Sequence, residues 1–197
     1  MSLPSPIGIG QTAAMKKWGY SEAVDYLFAS YRQRHRLTQH KFDREFRRPG
    51  ILLDLTQDMG ALPDPSTTCL ISGSKGKGTT SRLLAWNLSD SGAQVGLILT
   101  PEECRHTDRI RLNGEPIGEN EFADTVWALK PRLDAIMAQA PEDFYLSPAG
   151  LFLLVGLAWF RKCGVDHWVI EGGRGVAYDE IGQIDARFGI LTNILGE

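Results

Sequence analysis

Little in this sequence points to a specialised environment. It has only three cysteines, Cys69, Cys104 and Cys163. They are odd in number, widely spaced and in no C-x-x-C pair, so they support neither a disulfide framework nor a zinc site, and a reducing cytoplasm fits best. Long apolar runs are missing as well. The nearest, "GLFLLVGLAWF", is 11 residues long and runs into Arg161-Lys162, well short of the roughly 18 residues that cross a bilayer. It reads as a buried helix, and no membrane partner is expected. The opening "MSLPSPIGIG" lacks the charged head and apolar centre of a signal peptide. Charge of one sign is not in excess either. A formal net charge of -3 gives no whole-chain field that would recruit nucleic acid. The basic stretch "YRQRHRLTQHKFDREFRR" is interrupted by Asp43 and Glu45, and reads as a solvated helix face more readily than as a nucleic-acid patch. His106 and His167 have no partners at ligand spacing. Repeats, low-complexity tracts and obvious linkers are absent.

What is present is an ordinary globular composition, 43% hydrophobic and 23% charged over 197 residues, enough for one good core or a core with a small appendage. The order of elements carries more. "SEAVDYLFASYRQRH" has the apolar spacing of an amphipathic helix, with Ser21 as its expected cap. A short helix follows in "GILLDLTQDMGA", then a buried strand in "TTCLIS" and a helix in "KGTTSRLLAWNLSDSG" that stops at Gly92. "QVGLILT" is a second strand. Asn113-Gly114 in "RIRLNGEPI" marks a hairpin. "ENEFADTVWALKPRLDAIMAQA" is a long helix expected to bend or break near Pro131. In "LSPAGLFLLVGLAWFRKCG", Ser147 caps a further helix, Pro148 takes its first position and Gly164 lies beyond its end. "DHWVIEG" and "FGILTNI" are two more apolar strands. Strands that are apolar throughout and separated by helices predict a mostly parallel sheet covered by helices on both faces.

Between the first of these strands and its helix lies Ser72-Gly73-Ser74-Lys75-Gly76-Lys77-Gly78-Thr79-Thr80. A turn from a strand's carboxyl end into a helix N-terminus gathers unpaired backbone N–H groups and the positive end of the helix dipole. Glycines let the backbone approach a phosphate closely. Lys77 adds a mobile charge, and Thr79 or Thr80 offers a hydroxyl to Mg²⁺. The spacing departs from the usual phosphate loop, because Ile71 stands where the first glycine is expected and Gly78 follows the lysine. A flexible surface loop is the plain alternative, and the strand before it and the helix after it argue for the phosphate loop, a cradle for an anion.

The pattern G-[ST]-x-G-K-x-[ST] resembles the nucleotide loop of the Mur ligase superfamily, and "GSKGKGTT" is similar to the folylpolyglutamate synthase version, G-T-N-G-K-G-S. The likeness extends from about residue 20 to the end. "RIRLNGEPIGENEF" is close to that family's E-R-I-R-x-N-G-x-P-I, and "VDHWVIEGGRGVAYDEIGQIDARFGILTNI" resembles its later strand, Gly-rich and I-T-N-I stretches. The resemblance implies an ATP-dependent carboxylate–amine ligase that joins an amino acid to a small-molecule carboxylate through an acyl phosphate. It implies that Gly73, Ser74, Lys75, Gly76, Lys77, Gly78, Thr79 and Thr80 hold ATP, that Lys77 and Glu171 serve the chemistry, and that Thr79 and Glu171 hold Mg²⁺. Without the resemblance, Glu171 is a strand-end carboxylate that could as well face water.

The sequence also departs from that family. Thr100-Pro101-Glu102-Glu103-Cys104 replaces T-S-P-H-L, losing a histidine and gaining two acids where a loop helps to seat the pterin, which speaks against folate. "EGGRGVAYDE" keeps Glu171, Gly172, Arg174 and Gly175 but not D-A-T-N; Gly173 and Gly175 suggest either close backbone approach or a plain turn. Arg109 and Arg111 could clamp a carboxylate or stand in water. The family's Asp-His after I-T-N-I, its carbamylated lysine and its C-terminal domain lie past "ILTNILGE". The expectation is therefore a disordered or expression-derived segment 1–20, then N-terminal helices and an incomplete ATP-binding α/β domain over 21–197, inactive on its own. The alternative is a non-catalytic nucleotide-binding module with a structural or regulatory role, and a phosphotransferase is more distant.

Overall fold

The computed structural model describes residues 17–40, 48–173 and 179–194. Its principal elements are α1 (Tyr20–Arg34), α2 (Gly50–Asp58), β1 (Thr68–Ser72), α3 (Lys77–Asp90), β2 (Val95–Ile98), β3 (Ile110–Leu112), β4 (Glu115–Pro116), α4 (Glu119–Gln139), α5 (Pro148–Cys163), β5 (His167–Glu171) and β6 (Phe188–Leu191). The strands form one six-stranded sheet in the order β4-β3-β2-β5-β1-β6. The four strands from β2 to β6 run parallel, and β3 and β4 add an antiparallel hairpin at one end. Its corner is Asn113-Gly114, both at positive φ, as a two-residue hairpin turn requires.

The period of two along each strand divides the core. Ile98, Trp168 and Ile170 meet α1, α4 and α5 on one face, where Leu27, Phe122, Phe152 and Phe160 fill the interior. Leu97, Val169 and Ile71 meet Ala85 of α3 on the other. Helix α5 is buried from Gly150 through Leu157, which is why its sequence is apolar on every side. Ser147 Oγ accepts the Gly150 N–H at 2.9 Å, and Gly164 ends the helix in the left-handed conformation. Among the described residues no helix is long and apolar enough to cross a membrane.

Two expectations are corrected. Helix α1 begins at Tyr20, whose ring packs on Phe122 at 5.6 Å. Its cap is therefore Gly19 and not Ser21, and the Glu22 carboxylate accepts the Gly19 N–H at 2.8 Å. Helix α4 continues unbroken past Pro131. Pro131 lies on the exposed face, where water can serve the carbonyl that loses its partner. The sheet has helices on both faces, as expected, and at its β6 edge Phe188 and Leu191 are 54% and 59% exposed. Of the segment 1–20, Trp18 packs against Tyr26 and Trp127, and residues 1–16 lie outside the described residues.

Candidate nucleotide site

Strand β1 delivers the chain at Ser72 into the turn 73–76, and α3 starts at Lys77. Gly76, the N-cap, has φ 84, a left-handed conformation that glycine adopts without strain. The first bond of the helix runs from Thr80 N–H to Gly76 O, 2.9 Å. The N–H groups of Gly76, Lys77, Gly78 and Thr79 are thus the four that helical bonding leaves without acceptors. They sit at the positive end of a 14-residue helix, the arrangement that suits an anion. Ser74, Lys75, Gly76 and Thr79 are exposed, and Lys77, Gly78 and Thr80 are half-buried.

Glu171 ends β5 and is 5% exposed. Register places it beside Ile71 of β1, so its side chain reaches the same end of the sheet as the turn. A side-chain carbon at Gly78 would lie 3.6 and 3.7 Å from its two carboxylate oxygens and 3.3 Å from Arg82 Nη1. The carboxylate therefore faces the helix N-terminus. Its Oε2 accepts the Thr100 N–H at 3.1 Å. Burial pushes the Glu171 carboxyl up from its ordinary value, opposed by the Thr100 N–H, Lys77 and Arg82. An all-oxygen donor set of one carboxylate and a threonine hydroxyl fits Mg²⁺, which keeps waters and takes phosphate oxygens to complete six ligands. It does not form a self-sufficient cage: among the described residues no cluster of three or more His, Cys, Asp and Glu side chains could hold a metal ion.

Sequence reasoning missed two groups here. Thr100 orients Glu171 through a backbone N–H, which no side-chain pattern reveals. Thr192 and Asn193, just beyond β6, bind the turn itself. Ser74 N–H donates to Asn193 O (2.7 Å), Lys75 N–H donates to Asn193 Oδ1 (3.1 Å), and Thr192 Oγ1 donates to Lys75 O (2.7 Å). The "ILTN" stretch was visible, but nothing local ties it to the loop.

The loop after β2 resolves the remaining arginines. Arg109 pairs with Glu102 and lies over the Phe152 ring at 4.7 Å. Arg111 bonds Asp108 O and Gly114 O across the hairpin. Neither is an open clamp nor free in water, because each satisfies partners within the loop. Burial works against ionising Glu102, but its own backbone N–H, Arg109 and His106 outweigh it and hold the carboxyl below its ordinary value. His106 Nδ1 stands 2.8 Å from Glu102 Oε1, off the hydrogen-bond direction, with its ring against Phe28 and Phe152. Glu103 instead pairs with Arg82 at 2.7 Å. A side-chain carbon at Gly173 would meet Thr100 Cγ2 at an ordinary 3.7 Å, so no close backbone approach demands glycine there; Arg174 and Gly175 lie outside the described residues.

A strand, a Gly-Lys turn, a helix N-terminus and a facing carboxylate define a phosphate-loop α/β nucleotide-binding unit. No family model matches the chain. It is 30% identical over 140 residues, 71% of this chain and 32% of the relative, to a dihydrofolate synthase/folylpolyglutamate synthase of Buchnera aphidicola subsp. Acyrthosiphon pisum. It is 30% identical over 124 residues, 63% of this chain and 29% of the relative, to the folylpolyglutamate synthase of Lacticaseibacillus casei. A solved FPGS–AMPPCP–folate complex superposes with a TM-score of 0.72 at 26% identity, covering 91% of this chain and 41% of that one. The chain is thus homologous to the N-terminal part of the folylpolyglutamate synthase-type ligases of the Mur ligase superfamily, and has the fold of these ATP-dependent amide-forming enzymes. It spans about a third of the length of the curated relatives it matches.

Proposed function

We propose that this chain is the ATP-binding portion of a ligase that joins an amino acid to a small-molecule carboxylate, with Mg²⁺ as the accompanying ion. The observation that carries the reading is the placement of Glu171, buried, against the N-terminus of α3 and beside Lys77. Bound ATP supplies the phosphoryl group that activates the carboxylate for attack by the amine, with ADP and phosphate released. Phosphoryl transfer asks mainly for placement and for neutralisation of spreading charge. In this reading the N–H groups of Gly76, Lys77, Gly78 and Thr79 donate to phosphate oxygens, within a turn completed by Gly73, Ser74 and Lys75. The Lys77 amine neutralises charge. Glu171 and the hydroxyl of Thr79 or Thr80 would hold the cation, and the Thr100 N–H keeps the Glu171 carboxylate in place. Burial of Glu171 excludes water from that contact, which strengthens it.

The relatives' names speak of folate. The Glu102 and Glu103 replacements, with Glu102 locked to Arg109, favour a different carboxylate for this chain. Calorimetric titration of ATP into the chain tests the core of the proposal: saturable binding with Mg²⁺ that is lost with EDTA is expected, and heat-silent mixing at millimolar ATP, with no protection in a parallel melt, would end it.

A further inference from the structure

We propose that Thr192 and Asn193 form a latch that sets the phosphate loop in its anion-binding shape, Thr192 by fixing one peptide plane and Asn193 by consuming two loop donors. The inference rests on the nucleotide-binding reading and adds to it residues that no phosphate-loop pattern contains. The Lys75 residue is held from both sides by neighbouring residues of one segment. Its N–H donates to Asn193 Oδ1 at 3.1 Å, and its C=O accepts from Thr192 Oγ1 at 2.7 Å. The peptide joining residues 75 and 76 is planar and trans, so its C=O and N–H point in opposite directions. A carbonyl drawn toward Thr192 therefore turns the Gly76 N–H away from the latch, to the open side of the turn. That N–H is the first of the four without a helical acceptor.

The Ser74 N–H is taken by Asn193 O at 2.7 Å, so Ser74 and Lys75 are not anion donors in this geometry. The ladder to β1 continues through Thr192 N–H to Ser72 O at 2.9 Å, which ties the latch to the sheet. The fit is close enough to specify a residue. Gly73 has φ 133, and a side-chain carbon there would come within 2.2 Å of Thr192 Oγ1 and 2.9 Å of Asn193 O. Gly73 thus makes room for the latch and not for the phosphate.

Thr192→Val preserves shape and removes the hydroxyl; Thr192→Ser restores it; Asn193→Ala removes the side-chain acceptor. In the 197-residue chain, Mg-ATP affinity by calorimetry, melting temperature and exchange of the Lys75 amide by NMR separate positioning from bulk stability. Loss of one such hydrogen bond predicts an affinity about five- to tenfold weaker in Thr192→Val and in Asn193→Ala, with Thr192→Ser within about twofold of wild type. Asn193→Ala should also speed Lys75 amide exchange while the melting temperature stays nearly constant. Lys77→Ala serves as the control. If Lys77→Ala loses ATP while Thr192→Val binds like wild type, or if Thr192→Ser is as weak as Thr192→Val, the latch is overturned and the nucleotide site stands. If wild type binds no Mg-ATP, both fail.

Discussion

Replacing Lys77 by alanine separates binding from folding. Lys77 is the first residue of α3 and half-buried, and among the described residues it makes no side-chain ion pair or hydrogen bond. Alanine is the best helix former, so stability should change by no more than about 0.5 kcal/mol. A lysine at a phosphate makes charge-assisted hydrogen bonds, worth about 1.5–3 kcal/mol. At about 1.4 kcal/mol per factor of ten, Mg-ATP affinity should fall roughly 10- to 150-fold. Lys75 supplies the contrast: its side chain is exposed and the turn uses its backbone, so Lys75→Ala should weaken binding by about threefold at most. Isothermal titration of both variants, beside urea unfolding of each, measures the two quantities. Equal losses in Lys75→Ala and Lys77→Ala would show that the turn attracts the nucleotide only by net charge. Unchanged affinity in Lys77→Ala, or a collapse of its urea midpoint, would refute the assignment of Lys77 to the phosphates.

Glu171 and Glu102 should respond to pH with opposite signs. Burial raises the Glu171 carboxyl, so its contribution to stability is greatest below the unfolded-state value and is lost as pH rises through the folded-state one. Glu171→Gln should therefore gain in urea midpoint over wild type as pH climbs toward neutrality, while losing Mg²⁺-dependent ATP binding; a midpoint difference flat with pH would contradict this. The Glu102 carboxyl is lowered, so its contribution is present above the unfolded-state value and lost as pH falls through the folded-state one. Glu102→Gln should cost about 1–2 kcal/mol near neutrality and converge with wild type in acid unfolding curves. Gly73→Ala should cost about 1–3 kcal/mol in backbone strain and weaken ATP, read by urea unfolding and calorimetry together. Phe160→Ala, at a fully buried ring, should lower stability by about 3–5 kcal/mol in the same denaturation experiment; a loss under 1 kcal/mol would mean that the core closes over the gap.

Which parts were legible follows from the range of the interactions. Local signals located the elements: Ser147 and Pro148 before α5, Gly164 after it, Asn113-Gly114 at the hairpin, and the Gly-Lys turn between β1 and α3. Each works through bonds a few residues long. The misread details depended on tertiary partners. Ser21 is a better cap residue than Gly19 in isolation, but the contact of Tyr20 with Phe122 moves the start of α1. Pro131 is a helix breaker in the abstract, yet α4 passes it on the solvent side. Arg109 and Arg111 alternate as exposed strand residues would, but Glu102 and Asp108, placed by the preceding loop, absorb them. The facing of Glu171 toward the turn was reached through a resemblance, since strand-end carboxylates generally face water.

The sheet order explains why the latch was the least visible part and why it stands where it does. Strand β1 lies between β5 and β6, both parallel to it, so all three deliver their carboxyl ends to the same edge of the sheet, where open α/β folds place their ligands. The turn after β1 therefore has one neighbour on each side. From β5 comes Glu171, facing the first turn of α3; from β6 come Thr192 and Asn193, grasping the turn before it. Thr192 and Ser72 are 120 residues apart in sequence and meet only once β6 has added to β1 in parallel. A charge that can meet a cation and a clasp that shapes the donors thus arrive from opposite flanks of one strand. Pairing of β1 with both neighbours would then be a condition for the nucleotide site, and a substitution that frees β6 should impair ATP binding while leaving Glu171 in place.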